Sequence, residues 1–251
     1  MPRTVSRLFL FALLFGIAGQ SWAQELTLAT DDGPPHMIRE TDSGLDIDIT
    51  RAALERAGFS MQIQYTALAR AKRSVQNGLA DVVVPTFFEE DEPGYYVSVP
   101  VVDYRPTIFT RAADGHDFQS LEGIENLRVV TFQGAEGYFG SRFTEMAKQN
   151  TYVELHDMSA LPLLLARGRA DVVVLDYFIF QYHSQQTVTP ELDVAFKAHT
   201  FMPTIPAYAG FNDPEIRDRF NAALAELIAE GARYQIVARY LNPAGSSNVA
   251  Q

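Results

Sequence analysis

Residues 77–84 carry the sequence NGLADVVV, which the chain repeats as RGRADVVV at residues 167–174. Each copy follows an apolar, helix-like run. A glycine at the end of a helix, then a polar turn and a run of valines, is typical of an α/β unit that enters a buried parallel strand. Such a motif can recur by chance, but the order of the surrounding elements repeats as well. The repeat therefore predicts two similar α/β lobes with a cleft between them.

The hydrophobic pattern predicts a β-α-β-α-β order in each half, which is typical of mostly parallel sheets. In the first half, strands and helices are predicted in turn at 26–30, 45–57, 61–65, 68–77 and 81–85. In the second half, the corresponding elements and one further helix are predicted at 127–131, 135–149, 151–155, 159–167, 172–175 and 177–184, with Ser159 as an N-cap. Extended connectors are predicted at 103–110 and 205–211, followed by a long helix capped by Asp213 and a short one at 234–241.

The first 23 residues have the pattern of a secretory signal peptide. Arg3 and Arg7 form a basic start, residues 8–18 are apolar, and Ser21-Trp22-Ala23 is a small-x-small cleavage site. The apolar stretch is short for a membrane span, so cleavage is favoured over an uncleaved anchor. Cleavage after residue 23 of the 251 would leave a soluble, periplasmic chain.

The composition argues against several classes of function. The chain has no cysteine, which excludes disulfides, thiolate metal sites and a cysteine nucleophile. Its net charge of −11, which becomes more negative when Arg3 and Arg7 are removed, opposes binding to nucleic acid or anionic lipid. The histidines show no metal-ligand spacing, and Asp46 and Asp48 at a helix start point apart, so they form no acid/base pair. We therefore expect no cofactor, no metal and no set of catalytic residues. We also expect the protein to be a monomer.

Several motifs occur in an order that is similar to one protein family. These are residues 26–30 (LTLAT) with Pro34-Pro35, residues 44–49 (GLDIDI), Phe132-Gln133-Gly134, the two repeated segments, and residues 213–217 (DPEIR). The chain resembles the family 3 extracellular solute-binding proteins, the periplasmic receptors of polar amino-acid transporters. The resemblance extends over most of the mature chain.

The resemblance implies a two-lobed periplasmic binding protein type II fold. In this α/β fold each lobe is a mostly parallel sheet flanked by helices, and two connecting strands form a hinge. It implies a first lobe of residues 24–104 plus 207–251 and a second lobe of residues 105–206. A small polar ligand, an amino acid or an amine-like molecule, would close the lobes and be delivered to the membrane permease of an ABC transporter.

Ligands of open α/β sheets bind beyond the carboxyl ends of the strands, and this rule selects the candidate site residues. They are Asp31, His36, Tyr65, Arg70, Thr86, Phe87, Asp91, Gln133, Gly134, Asp176 and Tyr177. The resemblance implies that Asp176 holds a ligand amino group, although an aspartate there also suits a helix N-cap. The helix start at Gln133 and Gly134 would receive an anion, or is a plain turn. His36, Tyr65, Phe87, Phe88 and Tyr177 would stack on the ligand or pack in the core.

One departure from the family pattern concerns the ligand. Amino-acid receptors of this family carry an arginine after the third strand that clamps the ligand carboxylate, and Asp91 stands in its place. Either Arg70 or Arg105 supplies the clamp, or the ligand is not an ordinary α-amino acid. If Asp91 and Asp176 both face the ligand, they favour an amine or another cation. The alternative is that the acidic residues around Asp91 form a solvent-exposed loop with no role in binding.

Two other functions stay open at this point. The same scaffold hosts periplasmic dehydratases that act on cyclohexadienyl acids such as prephenate, although these need a cationic carboxylate site. A ligand-loaded partner of a membrane sensor is the third possibility.

Overall fold

A computed structural model of the chain describes residues 23–87, 90–186 and 194–241. The predicted signal peptide lies almost entirely outside these residues, as do Phe88 and the last ten residues of the chain. Across the ranges that are described, no helix has both the length and the apolar character that a membrane span requires.

The described residues form eleven strands and eight α-helices. The strands are β1 (Gln24–Thr30), β2 (Phe59–Tyr65), β3 (Val82–Thr86), β4 (Tyr96–Val97), β5 (Val102–Tyr104), β6 (Pro106–Arg111), β7 (Arg128–Phe132), β8 (Thr151–Leu155), β9 (Val172–Asp176), β10 (Phe196–His199) and β11 (Ile205–Phe211). The helices are α1 (Leu45–Arg56), α2 (Leu68–Gln76), α3 (Ala135–Phe139), α4 (Ser141–Lys148), α5 (Leu161–Ala166), α6 (Tyr177–Gln186), α7 (Pro214–Ala229) and α8 (Ala232–Leu241).

The strands form two sheets that share one arrangement. The first has the order β2-β1-β3-β11-β4, with β5 also paired to β11, and the second has the order β10-β6-β9-β7-β8. In each sheet three parallel strands are followed by an antiparallel one, β11 beside β3 and β6 beside β9. We call the first sheet with its helices the first lobe, and the second sheet with its helices the second lobe. The chain passes between the sheets from Tyr104 to Pro106 and returns between His199 and Ile205.

The repeated aspartates join equivalent strands in the two lobes. Oδ2 of Asp81 accepts a hydrogen bond from the Thr27 N–H at 2.7 Å, and Oδ2 of Asp171 accepts one from the Arg128 N–H at 2.9 Å. The glycine three residues before each aspartate has a φ near +65°, which ends the preceding helix without a Cβ clash. The repeated sequence is thus a strand-entry device used once in each sheet.

The repeated valines fill the core on both faces of each sheet. In β3, Val82 and Val84 pack with α1 and α7, while Val83 packs with α2 on the opposite face. In β9, Val172 and Val174 face α4, and Val173 faces α5 and α6. All are buried, and each such side chain contributes about 1.5–3 kcal/mol relative to an exposed one. A continuous valine run is what a central strand covered on both faces requires.

Three details differ from the prediction. The helix predicted at 135–149 is two helices, because Gly140 adopts a φ of +80° between α3 and α4. Ser159 is not an N-cap; the Asp157 side chain accepts from the Ser159 N–H instead and begins a short 3-10 turn before α5. Strands β4 and β10 were not predicted, because edge strands of two and four residues carry little periodic pattern.

Candidate ligand-binding site

A cavity of about 280 Å³ lies between the carboxyl ends of the central strands of both sheets. The first lobe contributes the loop after β1, the end of β3 at Pro85 and Phe87, and Tyr104. The second lobe contributes Phe132 at the end of β7, Tyr138 and Phe139 on α3, and the end of β9 at Leu175 and Asp176. Both sheets therefore present the edge at which α/β folds bind ligands.

His36 is the centre of a buried polar network at the cavity wall. Its Nδ1 lies 3.0 Å from Oδ1 of Asp46, and its Nε2 lies 3.2 Å from Oδ1 of Asp176. The Tyr104 hydroxyl donates to Oδ2 of Asp46 at 2.9 Å, and the Tyr104 ring stacks on the imidazole at 3.8 Å. Burial alone would lower the pKa of His36, but the two carboxylates outweigh burial and raise it to about 9. The imidazole is therefore cationic at neutral pH.

Asp176 lines the cavity and caps a helix at once. Its Oδ1 accepts from the Phe178 and Ile179 N–H groups at 2.8 Å and 3.1 Å, which is the N-cap geometry of α6. Its Oδ2 accepts from the Arg105 N–H at 2.6 Å. The helix-cap and cavity-wall interpretations of this residue thus coexist in one side chain.

Five aromatic rings, those of Phe87, Tyr104, Phe132, Tyr138 and Phe139, form part of the remaining wall. Phe87 lies 5.3 Å from Tyr104 and 5.8 Å from Tyr138, with interplanar angles of 78° and 84°. Tyr138 also contacts Phe132 edge-on at 5.6 Å. Burial first, and then the Asp176 and Asp46 carboxylates, raise the pKa of the Tyr138 hydroxyl, so it stays protonated and able to donate.

The helix start at Gly134 is occupied by a carboxylate of the chain itself. Oε2 of Glu154 accepts from the Gly134 N–H at 2.8 Å, and its Oε1 accepts from the Glu136 N–H at 3.2 Å. The Tyr152 hydroxyl donates to the same Oε1 at 2.7 Å. The backbone N–H groups, the Gly134 one first, lower the pKa of Glu154. The anion-binding position predicted at Gln133 and Gly134 is therefore filled, and neither residue lines the cavity.

The structure brings four of the eleven candidate residues to the cavity, namely Asp31, His36, Phe87 and Asp176. Asp31 also accepts from the Leu68 N–H at the start of α2, at 3.3 Å. Asp91 lies elsewhere, where it accepts from the Val97 N–H at 2.7 Å and faces Arg217 at 3.4 Å.

The other candidates also lie away from the cavity wall. Thr86 is buried in β3, and Arg70 is exposed on α2. The Tyr65 ring lies under the Arg39 guanidinium at 4.7 Å, and Tyr177 packs with the core. Arg105 is not at this cavity either, since its guanidinium lies over the Phe178 ring at 5.0 Å. Within the described ranges, neither arginine suggested from the sequence reaches the cavity wall.

The sequence analysis missed Tyr104 and Tyr138, which line the cavity, Asp46, which bonds to His36 behind the wall, and Glu154, which fills the start of α3. Asp46 lies 10 positions from His36, while Asp176 lies 140 positions from it, so no local spacing links the three. A signal for Glu154 was present, because strand alternation places Tyr152 and Glu154 on one face of β8. Within the described parts of the chain, no group of three or more His, Asp and Glu side chains is arranged to hold a metal ion.

Comparison with solved structures shows the fold. An ancestral cationic amino-acid solute-binding protein is 17% identical, with a TM-score of 0.70 over 86% of this chain and 95% of that chain. The second substrate-binding domain of Lactococcus lactis GlnP, in an open conformation, is 21% identical, with a TM-score of 0.64 over 87% and 96%. A histidine kinase sensor domain with similarity to periplasmic binding proteins is 20% identical, with a TM-score of 0.64 over 88% and 97%. These similarities confirm the two-lobed periplasmic binding protein type II fold.

Comparison at the level of sequence shows the family. A search of curated proteins finds no match. The sequence model of the bacterial extracellular solute-binding proteins, family 3, matches residues 26–243, which is most of the chain. The chain therefore belongs to the family 3 bacterial extracellular solute-binding proteins.

Proposed function

We propose that the protein captures a small polar solute, an amino acid or an amine-like molecule, between its two lobes in the periplasm and delivers it to the permease of an ABC transporter. The observation that carries this proposal is the cavity shared by the strand ends of both sheets, with Asp31 on one side and Asp176 on the other. A solute between them contacts both lobes and favours the state in which they are close together.

The connections between the lobes support a hinge movement. Among residues 23–87, 90–186 and 194–241, the chain crosses between the sheets near Arg105 and between residues 199 and 205. A change of backbone angles at these two places would move one sheet relative to the other. We propose the division into residues 24–104 plus 207–251 and residues 105–206 as the two moving bodies.

A binding screen tests the proposal. The chain from residue 24 onwards is unfolded thermally with amino acids, amines and small carboxylates, and its radius of gyration is measured with and without the best solute. A bound solute at 100 times its Kd adds about 2.7 kcal/mol to the free energy of unfolding. A higher Tm together with a smaller radius supports the proposal. If no solute changed the Tm and prephenate were turned over, the dehydratase alternative would replace it.

Two matched variants test whether the solute binds in the cavity. Tyr138→Ala removes a ring from the cavity wall, and Tyr234→Ala removes a ring that is 76% exposed elsewhere on the surface. We expect the first variant to weaken solute binding tenfold or more and the second to leave it unchanged. Equal effects would place the solute outside the cavity.

The likeness to a histidine kinase sensor domain favours a second candidate, in which the loaded protein contacts a membrane sensor. Reconstitution separates the two. ATP-dependent solute uptake into vesicles that contain a neighbouring-gene permease and its ATPase supports transport. Solute-dependent phosphorylation of a neighbouring-gene kinase supports signalling.

A further inference from the structure

We infer that the solute is an organic cation with an apolar body and no carboxylate, an amine or a quaternary ammonium ion. This inference rests on the proposed function and names the ligand class of the same cavity. The structural basis is the juxtaposition of the Asp31, Asp32 and Asp176 carboxylates with an aromatic wall.

The first argument is the charge at the cavity wall. Three of the lining side chains are carboxylates. Among the lining residues that the structure describes, His36 is the one basic side chain, and none is an arginine or a lysine. His36 pairs with Asp46 and Asp176 and offsets part of their negative charge, so the negative charge at the cavity wall comes mainly from Asp31 and Asp32. A ligand carboxylate would meet like charges and no bidentate donor, whereas an ammonium group would be attracted.

The second argument is the closed helix start at Gly134. A carboxylate ligand bound to these backbone N–H groups would have to displace Glu154, which holds two of them and also accepts from the Tyr152 hydroxyl. These are charge-assisted bonds already made inside the chain. Glu154 thus occupies these N–H groups, and since Gly134 does not line the cavity, this helix start offers no anion-binding position to a ligand there.

The third argument is the set of aromatic rings that line the same cavity as the carboxylates. Phe87 stands nearly perpendicular to both Tyr104 and Tyr138, at 5.3 Å and 5.8 Å. Aromatic faces carry partial negative charge and attract ammonium groups, most strongly when the contact is desolvated. The same rings cover the apolar body of the ligand. A volume of about 280 Å³ suits one small amine rather than a peptide.

The test uses pairs of ligands that differ only in an α-carboxylate. Titration calorimetry on the chain from residue 24 onwards compares 2-phenylethylamine with L-phenylalanine, agmatine with L-arginine, and cadaverine with L-lysine. Choline is compared with its neutral analogue 3,3-dimethylbutan-1-ol. We expect the best cation to bind at least tenfold more tightly than its carboxylated or neutral counterpart, which corresponds to about 1.4 kcal/mol.

Two variants link that preference to the wall. Oδ1 of Asp32 accepts a hydrogen bond from the Arg39 N–H at 3.3 Å. Asp32→Asn retains an oxygen that can accept this bond but removes the negative charge. Glu125→Gln removes the same charge at an exposed position away from the cavity and serves as the control. We expect Asp32→Asn to weaken cation binding threefold to tenfold, and Phe87→Leu to weaken it by a similar factor. Glu125→Gln should not change it.

The outcomes separate this inference from the proposed function. If an amino acid bound as tightly as its decarboxylated amine, or more tightly, the inference would be overturned while the solute-binding function stood. If no amine, amino acid or carboxylate bound at all, the proposed function itself would fail. Equal loss of affinity in Asp32→Asn and Glu125→Gln would also overturn the inference, because the local charge would then play no part.

Discussion

His36 and Asp176 join the two lobes through a buried polar contact, with Nε2 of the imidazole 3.2 Å from Oδ1 of the carboxylate. His36 comes from the loop after β1, and Asp176 is the last residue of β9. Each side chain makes a further hydrogen bond. His36 bonds to Asp46, and Asp176 accepts from the Arg105 N–H. Since Arg105 lies where the chain passes between the sheets, the contact braces the lobes beside that crossing.

The stability of the protein should fall as the pH rises from about 6.5 to about 9. The pKa of His36 is raised from 6.5 to about 9 in the folded state by Asp46 and Asp176, against the opposing effect of burial. A group whose folded pKa is raised contributes stability below its unfolded pKa and loses it as the pH passes the folded value. We expect a loss on the order of a few kcal/mol, measured by urea unfolding across this range.

The His36→Gln variant is the control for this pH effect. It should be less stable at pH 6 and should lack the decline between about 6.5 and about 9. His183 and His199 do not confuse the result, because burial lowers the pKa of both and their effect lies on the acidic side. An NMR titration of the His36 ring checks the same point directly, and an ordinary pKa would contradict the prediction.

Asp176→Asn should separate the two roles of this side chain. The amide oxygen still accepts from the N–H groups at the start of α6, so the Tm should change little on that account. The lost charge should lower the pKa of His36 and weaken the binding of an amine by about 1 kcal/mol or more. Unchanged affinity together with a shifted His36 titration would limit Asp176 to a structural role.

Asp81→Ala and Asp171→Ala should each lower the Tm by about 2–4 °C, which is the shift expected when about 1 kcal/mol of unfolding free energy is lost. Each removes the acceptor of a strand-joining N–H, that of Thr27 in the first lobe and that of Arg128 in the second, for about 1 kcal/mol. Asp103→Ala, at an exposed position on β5, is the control. Asp171→Ala should lower the Tm further, because Asp171 also accepts from the Arg128 guanidinium at 2.9 Å and 2.5 Å. An Asp81→Ala variant as stable as Asp103→Ala would contradict the prediction.

The fold could be predicted largely from the sequence because it rests on local patterns. The repeated glycine, aspartate and valines act within a few residues of one another, and the Asp213 cap of α7 is confirmed by its bonds to the Glu215 and Ile216 N–H groups. The break at Gly140 was missed because an isolated glycine is compatible with a helix until its backbone angle is known.

The site was less predictable because its contacts join distant parts of the chain. Asp176 ends β9 and Phe87 follows β3, so the strand-end rule selected both. The network around His36, in contrast, joins residues 36, 46, 104 and 176. The resemblance led us to expect Asp91 at the ligand site, but the folded chain places it beside Arg217 rather than at the cavity. A family motif identifies the position of a residue in the sequence. It does not show whether the folded chain brings that charged side chain to the cavity.

Glu154→Ala should open the helix start at Gly134 and lower the Tm by a few degrees. The alanine leaves the Gly134 and Glu136 N–H groups without their carboxylate, which costs about 1 kcal/mol as the loss of a helix cap does. Hydrogen exchange at these two amides should accelerate. Glu154→Gln, which retains an acceptor oxygen, should lie between the alanine variant and the natural chain in both measurements. Unchanged exchange in the alanine variant would show that Glu154 does not protect this helix start in solution, and the argument that the anion position is closed would then fail.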